Sequence, residues 1–110
     1  MAVASFEVHL TESAENDLEA IHSWMTENRS IKEANALLDR FSGAIRTLER
    51  SPLRGSSLRE LEALGVTGYR QILLAPYRVI YQVIDTKVVV MLIADGRRGL
   101  HAVLEVRLFR

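Results

Sequence analysis

Cysteine is missing from the 110-residue chain, which excludes disulfides, thiolate metal ligands and cysteine nucleophiles and suits a reducing compartment. Long apolar runs are missing too: the longest, Val88 to Ala94, falls well short of the roughly 20 residues that span a bilayer. The opening "MAVASFEVHL" has neither the basic nor the apolar region of a signal peptide, so a cytoplasmic protein without membrane contact is the expectation. Net charge is absent as well, with 14 basic and 14 acidic side chains. Proteins that neutralise many phosphates carry a basic excess, because each contact draws on counterion release, and overall neutrality speaks against broad nucleic-acid binding. The charges are nevertheless unevenly spread. Residues 1–50 hold 5 basic and 9 acidic side chains and residues 51–110 hold 9 and 5, so the second half is the one candidate anion-binding surface.

What is present is the composition of a packed globular domain, 48% hydrophobic and 25% charged, at a length that suits a single domain. "SFEVHL" alternates, with Phe6, Val8 and Leu10 on one face, and predicts a half-buried strand. Thr11 then offers an N-cap, and Ala14, Leu18, Ile21 and Met25 follow at helical spacing, which predicts a helix over about 12–27. Ser30 and Glu33 form an S-x-x-E capping box, and Ala34, Leu37, Leu38, Phe41, Ile45 and Leu48 continue a second amphipathic stripe up to Ser51-Pro52. Two helices so closely joined make an antiparallel hairpin with one shared apolar side.

Residues 52–68 read as a loop with one helical turn at most. "YRQILL", "YRVIYQVI" and "KVVVMLIA" follow as three strands linked by Ala75-Pro76 and Asp85-Thr86, and such short links force antiparallel neighbours. The last strand is apolar on both faces, which implies an interior position. Leu100, Val103, Leu104 and Leu108 then have the spacing of a short closing helix. The fold class is therefore α+β: an N-terminal strand, an antiparallel helical hairpin packed on a curved antiparallel sheet, and a short C-terminal helix.

The stretch "YRVIYQVIDTKVVVMLIADGRR", together with "LTESAENDLEAIHSWM", "LERSPLRG" and "YRQI" before it, resembles the RelE/ParE superfamily of toxins from bacterial type II toxin–antitoxin, or plasmid-stabilisation, systems. The front half is closer to ParE-like members. Two activities are implied by that resemblance. ParE-like toxins inhibit DNA gyrase by binding it, whereas RelE-like toxins cut messenger RNA on the ribosome, and a toxin that keeps only antitoxin binding is a third possibility. All three imply a cognate antitoxin, ParD-like, with a ribbon–helix–helix end and a flexible tail that folds on the toxin, and hence a hetero-oligomer.

Residues must choose between these activities, since a fold cannot. Cleaving RNA through its 2′-hydroxyl needs a base, an acid and cations for the phosphorane charge. By position, Arg78 and Arg98 fall on the cationic sites of the RelE-like enzymes. Strand "YRQILL" supplies Arg70 and no lysine, and an arginine that stays protonated is a poor base. Leu104 takes the place of the C-terminal tyrosine, leaving His101 as the one titratable candidate nearby. A two-residue turn at Asp85-Thr86 sets Arg78 opposite Ile93 with Asp95 as a diagonal carboxylate partner, and the turn at Ala75-Pro76 puts Arg70 on the opposite face from Arg78. The gyrase-binding reading follows, with Arg70, Arg78, Arg98 and His101 as the set that a nuclease would use. Arg78, Arg97, Arg98, Leu100 and Leu104 are the expected partner contacts, although Leu100 and Leu104 are also the residues that dock the closing helix. Gly99 stands where relatives often carry an acidic residue that would cap this helix. His9, His22 and His101 have no ligand spacing, and Gly65 and Gly68 form no nucleotide fingerprint, so no metal or other cofactor is expected. Trp24, Tyr69, Tyr77 and Tyr81 read as core or sheet-face residues.

Overall fold

The computed structural model describes residues 5–97 and 99–109; Arg98, assigned a functional role above, lies outside them. Strand β1 (Glu7–Leu10) leads into helix α1 (Glu12–Asn28), whose first turn is capped as the sequence implies: the Ala14 N–H donates to Thr11 Oγ1 at 3.1 Å. Helix α2 (Ile31–Arg46) starts in the same way, with the Glu33 N–H donating to Ser30 Oγ at 3.0 Å, and runs into a 3₁₀ turn at Thr47–Glu49. A loop carries the two-residue strand β2 (Ser56–Ser57) and the one-turn helix α3 (Arg59–Glu62). Strands β3 (Tyr69–Leu74), β4 (Tyr77–Ile84) and β5 (Lys87–Asp95) then form a meander, and helix α4 (His101–Phe109) closes the fold. Both hairpin turns have two residues. Ala75–Pro76 is a cis bond, and Asp85 adopts the left-handed φ of 55° that Asp tolerates better than most residues.

The sheet order is β1-β5-β4-β3-β2. It is mixed rather than wholly antiparallel, because β1 runs parallel to β5, with Val8 beside Val88 and Leu10 beside Val90. Short turns fix the direction of the meander, whereas β1 reaches its neighbour through the whole helical hairpin and is free to lie parallel. One irregularity sets the phase of the rest. Ile80 faces Leu92 but Tyr81 faces Val90, so Met91 is an extra residue in β5, a bulge that bends the strand and resets its alternation.

That reset lets β5 serve two cores. Val88, Val90 and Ile93 join Val79, Tyr81, Phe41 and Leu48 beneath the α1–α2 hairpin, while Leu92 joins Ile80, Leu58, Leu61, Leu100 and Leu104 on the other face, under α3 and α4. Tyr77 and Val83 pack with the first group, as the alternation of β4 implies. Each fully buried Leu, Phe or Ile contributes roughly 1.5–3 kcal/mol relative to exposure, so helices on both faces are anchored and not merely apposed. Trp24 departs from its expected place in the core and is 56% exposed. It lies on the shoulder of the α1 stripe defined by Ala14, Leu18, Ile21 and Met25 and misses the sheet.

Candidate functional site

Arg78 rises from β4 on the face away from the hairpin. Its aliphatic stem lies against Gly96, where an added Cβ would come within 2.8 Å of both Arg78 Cγ and Cδ, so glycine there makes the close approach possible. Each nitrogen of the guanidinium donates one hydrogen bond. Nε donates to Gln71 Oε1 at 2.5 Å, and the two terminal nitrogens donate to Glu60 Oε2 at 2.6 Å and Oε1 at 3.0 Å. This is the two-pronged geometry in which Arg–carboxylate pairs are strongest. Both side chains are largely shielded, 13% and 19% exposed. The hydrogen bonds from Arg78 hold the Glu60 carboxyl down to about 2, against burial that pushes it up, with help from its own backbone N–H and from the charges of Arg78 and His101. Above the pair opens a polar cleft lined by Ser56, Ser57, Arg59 and Glu62.

The expected carboxylate partner was the right kind of group in the wrong place. Because of the bulge at Met91, Arg78 sits opposite Ala94, and Tyr77 sits opposite Asp95. Asp95 instead pairs with Arg97, accepting from its Nε at 3.0 Å, from a terminal nitrogen at 2.6 Å and from its backbone N–H at 2.9 Å. That pairing holds the exposed Arg97 guanidinium above its ordinary range.

Arg70 lies on the opposite face from Arg78, as the turn geometry implies: it is paired with Tyr81, whereas Arg78 is paired with Leu73. It serves the loop before β2. One nitrogen donates to the carbonyls of Leu53 at 3.2 Å and Gly55 at 2.8 Å. The Tyr81 hydroxyl donates to the Pro52 carbonyl at 2.7 Å and accepts from the Gly55 N–H at 3.0 Å, and its burial raises it above the ordinary tyrosine value. Gly55 leaves no room for a side chain, since a Cβ would come within 2.6 Å of both the Gln71 carbonyl and the Tyr81 hydroxyl. His101 is exposed in the first turn of α4 and faces a separate hollow with Glu60, Leu64 and Glu105. Among the described members of the nuclease set, Arg70 and Arg78 occupy opposite faces, Arg78 is paired, and His101 reaches the neighbourhood of Arg78 only across Glu60; Arg98 lies outside the described residues.

Leu100 and Leu104, expected to contact a partner, are 2% and 1% exposed. Their helical spacing turns them onto the sheet, so they fasten α4, and what they present outward is confined to the linings of two hollows, Leu100 beside Val103 and Leu104 beside His101. Gly99 is not the N-cap, because the Leu104 N–H bonds to the Leu100 carbonyl at 2.8 Å and α4 begins at His101. An acidic residue at 99 would precede the cap.

A second surface lies where the helical hairpin meets the sheet, the groove that the resemblance implies for an antitoxin tail. Trp24, Tyr77 and Arg97 form a ridge shared by two hollows, one reaching Leu37 and Arg40 of α2 and the other reaching Val103 of α4. The lining is mainly apolar, and charges of both signs border it: Arg29 is paired with Glu33 and Arg97 with Asp95, and Arg40 and Asp17 lie at its margins, a combination suited to an amphipathic segment. Close by, Asp17 of α1 accepts from the Ile93 N–H at 3.0 Å and from Arg107, which also donates to the Met91 carbonyl at 3.1 Å. This pair satisfies the edge of β5 beyond the end of β1. Neither Glu60 nor the Asp17–Arg107 pair announces itself locally, because partners 18 and 90 residues apart leave no spacing to read.

Residues 8–100 match the family model described as the ParE toxin of type II toxin–antitoxin system, parDE. Toxin ParE3 of Caulobacter vibrioides is 30% identical over 94 residues, covering 86% of this chain and 90% of that protein. Among solved structures, the chromosomal ParDE toxin–antitoxin system from P. aeruginosa superposes with a TM-score of 0.70 at 19% identity, over 84% of this chain and 97% of that one. The toxin–antitoxin complex RelBE2 from Mycobacterium tuberculosis gives 0.58 at 24% identity, over 86% and 94%. A mutant of E. coli toxin RelE in the free state gives 0.62 at 19% identity, over 96% and 99%.

Proposed function

The chain belongs to the ParE toxin family of type II toxin–antitoxin systems, and from that premise we propose that it inhibits DNA gyrase by binding it and is neutralised by a ParD-like antitoxin in a cytoplasmic hetero-oligomer. The observation that carries this reading is the state of Arg78. Its guanidinium is taken up by Glu60 and Gln71, and the residue at the proton-transfer position is a buried leucine, Leu104. A surface that must stabilise a phosphorane needs a cation directed at the phosphate, and this one is already paired. Binding a protein makes no such demand.

The Trp24–Tyr77–Arg97 ridge is the proposed place for the antitoxin tail. Arg97 is the partner contact retained from the sequence, and Trp24 takes over the apolar role first given to Leu100 and Leu104. Aromatic and arginine side chains are the usual anchors of such interfaces. A supercoiling assay with purified protein tests the proposal: gyrase should stall with cleaved DNA accumulating, and full gyrase activity at micromolar protein refutes it. Codon-phased cuts in translated messages after induction would establish RNA cleavage instead, and the absence of any growth defect without antitoxin would identify a chain that retains antitoxin binding alone.

A further inference from the structure

The cleft over Arg78 is built for an oxyanion and filled by one of the chain's own. At its floor the guanidinium is oriented by Gln71 on Nε and by the packing of its stem on Gly96, so its two terminal nitrogens form a fixed fork. Ser56, Ser57 and Arg59 line the walls, with the Glu62 carboxylate also at the cleft. Such a fork recognises carboxylate and phosphate by the same paired hydrogen bonds. The Glu60 carboxylate occupies both prongs. It is carried on a one-turn helix that Leu58 and Leu61, 1% and 2% exposed, anchor in the core, so it does not leave readily.

We propose that Glu60 is the residue that closes this face to phosphate: it holds the guanidinium fork of Arg78 that phosphate-group oxygens would otherwise take, and a chain without that carboxylate binds phosphate at the same place. Ligand class and residue role follow together. Ligands are phosphate groups, free or within a single-stranded RNA chain, and Glu60 determines specificity by exclusion. Glu60 also borders the hollow that His101 lines. The proposal builds on the reading of this toxin as a protein-binding one, yet it fails separately, since the test below contains no gyrase.

Glu60→Gln retains the side-chain volume and removes the charge, and Glu60→Ala removes the group; a cooperative thermal transition shows which variants are folded. Each is titrated with inorganic phosphate and with a short single-stranded oligoribonucleotide, following the Arg78 Nε–H signal by NMR. The intact chain should show no saturable change at phosphate concentrations that saturate the variants, a difference of at least about tenfold in affinity, and the gain should vanish in Glu60→Gln/Arg78→Gln. A gain for phosphate alone supports the site with free phosphate as its ligand, and a gain for both probes supports a site that accepts the RNA backbone. A folded variant that binds neither probe more tightly than the intact chain overturns the proposal, as does a gain that survives the loss of Arg78.

Discussion

Protonating or replacing Glu60 should release a measurable part of the stability of the fold, in a pH window set by its own titration. Folding lowers this carboxyl from its ordinary 4.5 to about 2. Every tenfold gain in acidity corresponds to about 1.4 kcal/mol of differential interaction, so the ceiling is roughly 3 kcal/mol. The cleft admits water to a pair that is 13% and 19% exposed, which brings the expected loss for Glu60→Gln at pH 7 to about 2 kcal/mol, below the roughly 3–5 kcal/mol typical of fully buried pairs. The sign follows from the direction in which folding moves the group. A depressed folded value means that the stabilisation is complete above the ordinary 4.5 and disappears as pH falls through about 2. Urea unfolding of the intact chain and of Glu60→Gln, repeated from pH 7 to pH 3, isolates the contribution, because the other carboxylates titrate in both. Their difference should be near 2 kcal/mol at pH 7, a change of about 1 M in midpoint, and should fall below half by about pH 3. A difference under about 0.5 kcal/mol at pH 7, or one that does not change with pH, refutes the assignment of this ion pair as a stabilising contact.

Three further outcomes follow from the same geometry. Tyr81→Phe leaves the Pro52 carbonyl and the Gly55 N–H without their hydroxyl partner, and calorimetry should show a loss of about 1–3 kcal/mol. Asp17→Ala removes the acceptor of the Ile93 N–H and the partner of Arg107, so amide exchange at Ile93 should accelerate by about tenfold or more, relative to amides paired between β3 and β4. Gly99→Asp adds a side chain where no other group lies within 4 Å of its Cβ, so a thermal melt should place its stability within about 0.5 kcal/mol of the parent.

Much of the fold is legible where the signal is local. Thr11 and Ser30 mark the helix starts because a cap acts on amides two or three residues away, and the two-residue turns announce the meander for the same reason. The order of the strands is half legible: β3, β4 and β5 follow from their turns, but the parallel placement of β1 depends on a contact 80 residues distant. The bulge at Met91 could not be read because "VVVMLIA" is apolar at every position and carries no phase. That single unread residue displaced Asp95 from Arg78. The opposite faces of Arg70 and Arg78 survived the error, since they depend on the β3–β4 turn alone. Trp24 reads as a core or sheet-face residue, although its position on the α1 wheel places it on the flank of the stripe, where it is exposed.

The pairing of β1 with β5 also gives the newborn chain a waiting time. Val8 leaves the ribosome about 80 residues ahead of Val88, its neighbour in the sheet, and at roughly 5–20 residues per second that gap lasts on the order of 4–16 s. In the second half of that interval the helical hairpin has been made but β5 has not, so Phe41 and the apolar stripe around it lack the Val88 and Val90 side chains that pack with them in the finished fold. The sheet is complete only when β5, the last strand made, lies down beside β1, the first.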